Sequence, residues 1–133
     1  MNLTAFLLRS ASLGVTIIGL GYLIDPATVL EIYGVSLQSI TEAHILRSAY
    51  GGLFLSFAIL FWLGAARAQY TRPALIALLT FMAGFALGRA VSFVTDGMPH
   101  PLFIAIFAIE ILYSMAAIYL MKREANVPTS DRA

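Results

Sequence analysis

Long apolar runs separated by short polar connections dominate the pattern of hydrophobic and polar residues along the chain. Four runs are long enough to cross a bilayer, at about residues 3–24, 42–63, 73–94 and 101–121. A hydrocarbon core about 30 Å thick needs roughly 20 helical residues, so each run predicts a transmembrane helix. The first run exceeds the apolar core of a typical signal peptide, and no small-residue cleavage site follows it, so we expect this helix to be retained.

The first connection carries the signals of a short helix and of the next helix start. Asp25 and Pro26 are typical of an N-cap and a first helical position, and the segment closes on Gly34. Its apolar residues fall at helical spacing, which predicts a short helix lying in the membrane interface. Ser39 and Glu42 have the spacing of a capping box, so we interpret Glu42 as a helix cap rather than as a ligand-binding group.

The predicted fold class is an all-α integral membrane protein built as a compact four-helix bundle. We expect one transmembrane domain over residues 1–122, with the short interfacial helix between the first and second spanning helices, and a polar cytoplasmic tail over residues 123–133. The short connections favour antiparallel packing of successive helices. Pro73 and Pro101 should begin the third and fourth helices, because proline is tolerated in a first helical turn.

Small residues predict the faces on which the helices pack. The third helix carries Gly84 and Gly88 at GxxxG spacing, and the second carries Gly51 and Gly52. Small residues at such spacings let membrane helices approach one another closely. The GxxxG face could serve the internal bundle, a homo-oligomer or a larger membrane complex.

Composition supports lipid as the main solvent of the chain. Hydrophobic residues make up 60% and charged residues only 11% of the sequence, and the mean hydropathy is +0.88, whereas soluble domains carry about 25% charged residues. The net charge of +1, without a basic stripe, excludes a nucleic-acid partner. The absence of cysteine excludes disulfides, thiolate catalysis, iron–sulfur ligation and thioether haem attachment.

The distribution of basic residues predicts the orientation in the membrane. The connections after the first and third helices contain no lysine or arginine. The second connection and the end of the fourth helix carry four basic residues, namely Arg67, Arg72, Lys122 and Arg123. Because positive charge stays on the cytoplasmic side, we expect both termini to be cytoplasmic.

Ionisable residues inside the apolar runs predict a polar site in the outer leaflet. Arg47 and Arg89 each lie about five residues from the outer end of a helix, and Glu110 lies about nine residues into the fourth. A helix rises about 1.5 Å per residue, so the arginines lie roughly 8 Å deep and Glu110 roughly 14 Å deep. A lone charge facing lipid is costly, so we expect Glu110 to pair with Arg47, Arg89 or both.

Further polar residues share helix faces with these charges. His44 and Tyr50 lie one turn on either side of Arg47, and Ser92 lies one turn from Arg89. The candidate ligand-binding site therefore comprises Arg47, Arg89, Glu110, His44, Tyr50 and Ser92. Two other interpretations stay open: the arginines can snorkel to lipid headgroups, and the ion pairs can serve only to clamp helices together.

The sequence predicts no metal site and no cofactor. His44 and His100 both lie near the outer face, yet neither has a histidine or carboxylate at i+3 or i+4. No Ser–His–Asp order, glycine-rich phosphate loop or pair of catalytic carboxylates is recognisable. No catalytic residue can therefore be named from these patterns.

Three stretches together resemble a family of small four-helix bacterial membrane proteins. They are "EAHILRSAYGG" in the second helix, "GRAVSFVTDGMP" at the end of the third, and a lone glutamate in the fourth. The residues that carry the resemblance are Glu42, Arg47, Tyr50, Gly51, Gly52, Gly88, Arg89, Asp96, Gly97, Pro99 and Glu110. The family is catalogued as a domain of unknown function and is loosely similar to the DoxX-like proteins. The resemblance implies a bacterial inner-membrane location and supplies no activity.

The leading functional prediction is a non-enzymatic membrane protein that binds a small ligand. Its outward-facing polar pocket would hold an amphipathic or anionic molecule, such as a lipid headgroup, a quinone or a carboxylate, with one spare positive charge from the two arginines. One alternative is a structural or accessory subunit of a membrane complex. Another is an enzyme acting on a lipid-soluble substrate with Glu110 as acid or base, and a third is a small proton-coupled carrier formed by dimerisation.

Overall fold

A computed structural model describes residues 2–125 of the chain, and 87% of these residues are helical, with no strand among them. In chain order, the helices are α1 (Leu3–Ile24), α2 (Pro26–Glu31), α3 (Ile40–Ala66), α4 (Ala68–Thr95) and α5 (Pro101–Ala125). Within α3, the segment Arg47–Gly52 is π-helical. The helices α1, α3, α4 and α5 are each long and apolar enough to cross a membrane. The predicted all-α class and its four spanning helices are therefore confirmed.

The connection between α3 and α4 is much shorter than the sequence indicates. A single extended residue, Arg67, joins the two helices. Pro73 therefore lies inside α4, and the expectation that it begins this helix is wrong. The polar residues before it are already helical, and the Thr71 hydroxyl donates to the Gly64 carbonyl oxygen at 2.8 Å, which fixes the start of α4 against the end of α3.

The long last helix begins where expected but ends later than expected. Pro101 begins α5 as predicted, after a turn in which Gly97 has a φ of +93°. The helix continues through Arg123 to Ala125, so the first residues of the expected tail are helical. The rest of that tail, residues 126–133, lies outside the described residues.

The short helix α2 begins at the predicted cap. The Asp25 carboxylate accepts hydrogen bonds from the Thr28 hydroxyl at 2.7 Å and from the Thr28 backbone N–H at 3.3 Å. Both bonds stabilise the ionised carboxylate and therefore lower the pKa of the Asp25 carboxyl below its ordinary value. The bond from the Thr28 hydroxyl has the larger effect. The start of α3 is capped similarly, since the Glu42 backbone N–H donates to the Ser39 hydroxyl oxygen at 3.1 Å.

The bundle has a packed half and a hollow half. We call the half that holds the N-terminus and the α3–α4 connection the terminal end, and the half that holds α2 and the α4–α5 turn the α2 end. The fully buried apolar side chains cluster at the terminal end and include Leu8, Phe61, Leu75, Leu78, Ala117 and Leu120. By contrast, no residue of α4 after Ala86 and no residue of α5 before Glu110 is buried. The core therefore thins towards the α2 end.

The spanning helices pack in a row rather than in a closed ring. Helix α1 packs along α3, α3 along α4, and α4 along α5, whereas α1 and α5 make few contacts. The Ser12 hydroxyl donates to the Ala58 carbonyl oxygen at 2.8 Å and joins α1 to α3 within the core. The row therefore leaves a seam between α1 and α5.

The glycines differ in what surrounds them. A Cβ at Gly51 would lie 3.2 Å from backbone atoms of Leu23, so this glycine lies where α3 crosses α1 closely. A Cβ at Gly64 would overlap the Cβ of Ala74. A Cβ at Gly52 would meet only the carbonyl oxygen of Arg47, at 3.9 Å.

The expected role of Gly84 and Gly88 in helix packing requires a correction. A Cβ at either position would meet nothing within 4 Å. The reason is that the GxxxG face of α4 is turned towards a cavity and not towards a neighbouring helix.

Candidate functional site

A π-helical turn in α3 decides which of its polar residues face the bundle interior. Between Arg47 and Gly52, the backbone hydrogen bonds span five residues instead of four. The wider turn changes the angular positions of its residues around the helix axis. Tyr50 therefore does not lie on the same helix face as His44 and Arg47. Tyr50 is half-buried inside the bundle, whereas His44 and Arg47 are exposed. π-Turns of this kind are frequent at functional sites.

Arg47 is bound to the end of α1 and does not reach Glu110. Its Nε donates to the carbonyl oxygen of Leu23 at 3.2 Å. Leu23 lies in the last turn of α1, where carbonyl groups lack a partner within the helix. The expected network of two arginines with one glutamate is therefore corrected to a single pair, and the spare positive charge expected at the site is absent.

That pair joins α4 to α5. The Arg89 Nε donates to both oxygens of the Glu110 carboxylate, at 2.9 Å and 3.0 Å. The Glu110 side chain is only 6% exposed and that of Arg89 is 21% exposed. The guanidinium carbon lies 5.0 Å from the centroid of the Phe103 ring, a cation–π geometry that further shields the pair from water.

Part of the Arg89 guanidinium has no hydrogen-bond partner among residues 2–125. A guanidinium has five N–H donors, of which only the one on Nε is used by Glu110. Within residues 2–125, no hydrogen bond engages the terminal Nη groups of Arg89. These donors can therefore bind an acceptor that enters the adjoining space.

That space is a cavity of about 980 Å³ between α1, α4 and α5, with α3 behind it. Its walls are mostly apolar, and Arg89 and Glu110 are the charged residues that line it. Nine aromatic side chains line it: Tyr22, Tyr33, Tyr50, Phe54, Phe81, Phe85, Phe93, Phe103 and Tyr113. Gly84 and Gly88 also lie in its wall, next to Arg89 on α4, and their lack of side chains leaves room beside the ion pair.

One side-chain contact lies near each end of the cavity, and the seam borders it. At the α2 end, the ring of Tyr33 packs on that of Phe103 with centroids 4.9 Å apart. At the terminal end, the Tyr113 hydroxyl donates to the Ser10 hydroxyl oxygen at 2.9 Å and bridges α5 to α1. Between these contacts, Ile18 of α1 and Ile109 of α5 line the cavity, and both side chains are exposed. The seam between α1 and α5 therefore borders the cavity with apolar side chains.

The structure brings together four of the six residues in the candidate site. Arg89, Glu110, Tyr50 and Ser92 line the cavity, whereas His44 and Arg47 do not. Among the described residues, no group of three histidine, aspartate or glutamate side chains is arranged to hold a metal ion.

Sequence reasoning missed two features of the site. The hydrogen bond between Tyr113 and Ser10 joins residues that are 103 positions apart, and no local pattern predicts it. The aromatic lining has a visible signal, since Phe81 and Phe85 lie one helical turn apart. That spacing is also typical of an ordinary core, so it does not by itself indicate a cavity.

Comparison with known proteins gives one family. The model of a family described as a domain of unknown function, DUF4345, matches residues 3–121. Neither the curated proteins nor the solved structures give a significant match. The family match does not address the resemblance to DoxX-like proteins, which stays a prediction. Because the match extends from the start of α1 to the last turns of α5, the chain belongs to the DUF4345 family.

Proposed function

We propose that this membrane protein binds a small amphipathic molecule in the cavity between α1, α4 and α5. The observation that carries the proposal is a buried ion pair with unused donors in the wall of an otherwise apolar, aromatic cavity. Sites for small molecules typically have volumes of about 300–1,000 Å³ and combine apolar walls with a few polar groups. The cavity is at the upper end of this range, which suits a ligand with a long apolar part.

The surroundings of the ion pair favour a binding site over a purely structural clamp. A clamp between two helices needs only the contact between Arg89 and Glu110, and close packing around it would strengthen the pair. Here Gly84 and Gly88 leave open space beside Arg89 instead. Intramembrane charges are expensive and commonly mark functional sites, so space beside a partly unpaired guanidinium supports ligand binding.

The seam supports entry of the ligand from the bilayer. The contacts of Tyr33 with Phe103 and of Tyr113 with Ser10 lie near the two ends of the cavity. Apart from the bond between Tyr113 and Ser10, no side-chain hydrogen bond or aromatic contact joins α1 to α5 among the described residues. A molecule that already resides in lipid can enter there with its apolar part aligned along the helices.

We propose that the protein lies in the bacterial inner membrane with both termini cytoplasmic. In this orientation, the α2 end faces the outside of the membrane. The four basic residues at the terminal end support this arrangement. Because the chain has no cysteine, Ser36→Cys and Ala66→Cys each introduce a unique thiol at an exposed position. In intact cells, an impermeant thiol reagent should label position 36 only, and lysis should make position 66 reactive. Labelling at position 66 alone would reverse the orientation.

Ligand retention tests the binding function itself. We expect wild-type protein, purified in gentle detergent, to carry a lipid or small amphiphile detectable by native mass spectrometry. The variant Arg89→Met/Glu110→Leu should lose it and stay folded, because apolar residues of similar volume can replace a buried ion pair. Arg47→Met is the matched control: it removes an arginine at similar depth but outside the cavity, so it should retain the ligand. The same bound species in all three proteins, or none in wild type, would contradict the proposal.

A further inference from the structure

We propose that the polar end of the bound molecule is an uncharged hydrogen-bond acceptor, specifically a carbonyl group of a ketone, quinone or ester, held by the Arg89 Nη groups. This inference rests on the proposed binding function and specifies the ligand class. It departs from the expectation, drawn from the sequence, of a site with spare positive charge for an anion.

The charge balance of the cavity is the first reason. Arg89 and Glu110 are the charged residues that line it, and their contact makes the wall electrically neutral overall. Both carboxylate oxygens accept from Arg89, as those of an ionised glutamate do. Arg47 adds no charge to the wall, because its guanidinium lies on the Leu23 carbonyl outside the cavity. An anionic head would therefore lose its hydration without meeting a net opposite charge.

The hydrogen-bond character of the exposed group is the second reason. The free edge of the Arg89 guanidinium consists only of N–H donors, so the group that binds it must be an acceptor. A carbonyl oxygen has two lone pairs and can accept from both Nη groups. Hydrogen bonds from a charged donor are stronger than neutral ones, and the low dielectric of the cavity strengthens them further. A neutral acceptor thus gains a strong contact without the desolvation cost of an ion.

The walls next to Arg89 fit the remainder of such a molecule. The ring of Phe103 covers one side of the guanidinium, with its centroid 5.0 Å from the guanidinium carbon. Beyond the ion pair, the wall continues as the packed rings of Phe81 and Phe85, whose centroids are 5.0 Å apart. Apolar tails and flat unsaturated rings both gain from contact with aromatic surfaces.

The test compares ligands that have straight alkyl tails of nearly equal length and different heads. Delipidated full-length protein is titrated with 2-tridecanone, dodecyl phosphate, dodecyltrimethylammonium and tridecane, and binding is followed by native mass spectrometry and thermal shift. We expect wild type to bind 2-tridecanone with a Kd at least about tenfold lower than for the other three. Tighter binding of the phosphate or the ammonium, or equal binding of all four, overturns the acceptor inference and leaves cavity binding intact. Binding of none of the probes overturns the proposed function as well.

A charge change at Glu110 gives the second arm. Glu110→Gln keeps the shape of the side chain but leaves Arg89 with a full positive charge, so the preference should shift to dodecyl phosphate by about tenfold. Glu42→Gln, a control outside this cavity, should keep the wild-type preference. Arg89→Met/Glu110→Leu preserves neutrality without donors, and 2-tridecanone should then bind no better than tridecane. If Glu110→Gln does not fold, this double variant still tests whether Arg89 binds the head of the ligand. A retained preference for the ketone would show that Arg89 does not hold the head.

Discussion

Glu110→Gln should unfold in detergent at a much lower temperature than wild type. The substitution removes the only carboxylate that contacts Arg89 in the described part of the chain and leaves a guanidinium between α4 and α5 without a counter-charge. Breaking a buried ion pair in this way costs about 3–5 kcal/mol in soluble proteins. The loss in a membrane protein is expected at the lower end of this range, because the unpacked state also finds partners. Circular dichroism during heating measures the effect.

Two comparisons make this expectation specific. Glu42→Gln changes a glutamate in a capping position, whose carboxylate accepts from the Gln38 backbone N–H at 2.7 Å, and should cost about 1 kcal/mol or less. Arg89→Met/Glu110→Leu should recover most of the stability lost in Glu110→Gln, since no buried charge remains. Equal, small losses in Glu110→Gln and Glu42→Gln would mean that the ion pair does not stabilise the bundle.

Gly64→Ala is the second substitution for which we expect a loss of stability. A Cβ at this position would overlap that of Ala74 and lie 3.2 Å from both the Leu8 side chain and the Tyr70 carbonyl oxygen. The helices cannot simply separate, because Arg67 alone connects α3 to α4. Overpacking of this kind costs about 1–3 kcal/mol, which should exceed the gain of about 1 kcal/mol in helix propensity on replacing glycine by alanine.

Gly84→Ala is the matched control for this prediction. A Cβ there meets nothing within 4 Å, so the variant should be as stable as wild type or slightly more stable. The GxxxG pattern alone would predict the opposite order, with Gly84 the more sensitive position. Thermal unfolding of both variants in the same detergent decides between the two rankings, and a larger loss in Gly84→Ala would contradict the packing described for Gly64.

The helical spans could be predicted because the free-energy cost of exposing backbone and polar groups to lipid imposes long apolar runs. Their ends were harder to predict. The segment before Pro73 contains Gln69 and Arg72 and has the composition of a loop, yet it is helical. At the edge of a bilayer, a polar helical turn and a polar loop are both solvated, so composition does not distinguish them.

Only the part of the candidate site that follows directly from the energetics of buried charge could be predicted. The cost of a lone intramembrane charge points to the contact between Glu110 and Arg89. The separation of Arg47 from that pair depends on the π-helical turn, and no residue type within Arg47–Gly52 signals such a turn. Likewise, a glycine pair indicates only that side chains are missing. Whether a neighbouring helix packs against the glycines or a cavity lies beside them depends on residues that are distant in sequence.

The π-helical turn has a consequence for how the chain tolerates insertions and deletions. A π-turn holds one residue more than an α-turn, so deleting one residue within Arg47–Gly52 could restore a continuous α-helix. Because the wider turn absorbs the extra residue, this deletion would leave Ile40–Leu46 in nearly its present orientation relative to Leu53–Ala66, whereas a deletion in a regular α-helical part would rotate the two parts by about 100°. The deletion would change which side chains the turn itself presents, and it would leave the core at the terminal end in place. The bundle should therefore tolerate the loss of one residue within Arg47–Gly52 better than the loss of one residue elsewhere in a spanning helix.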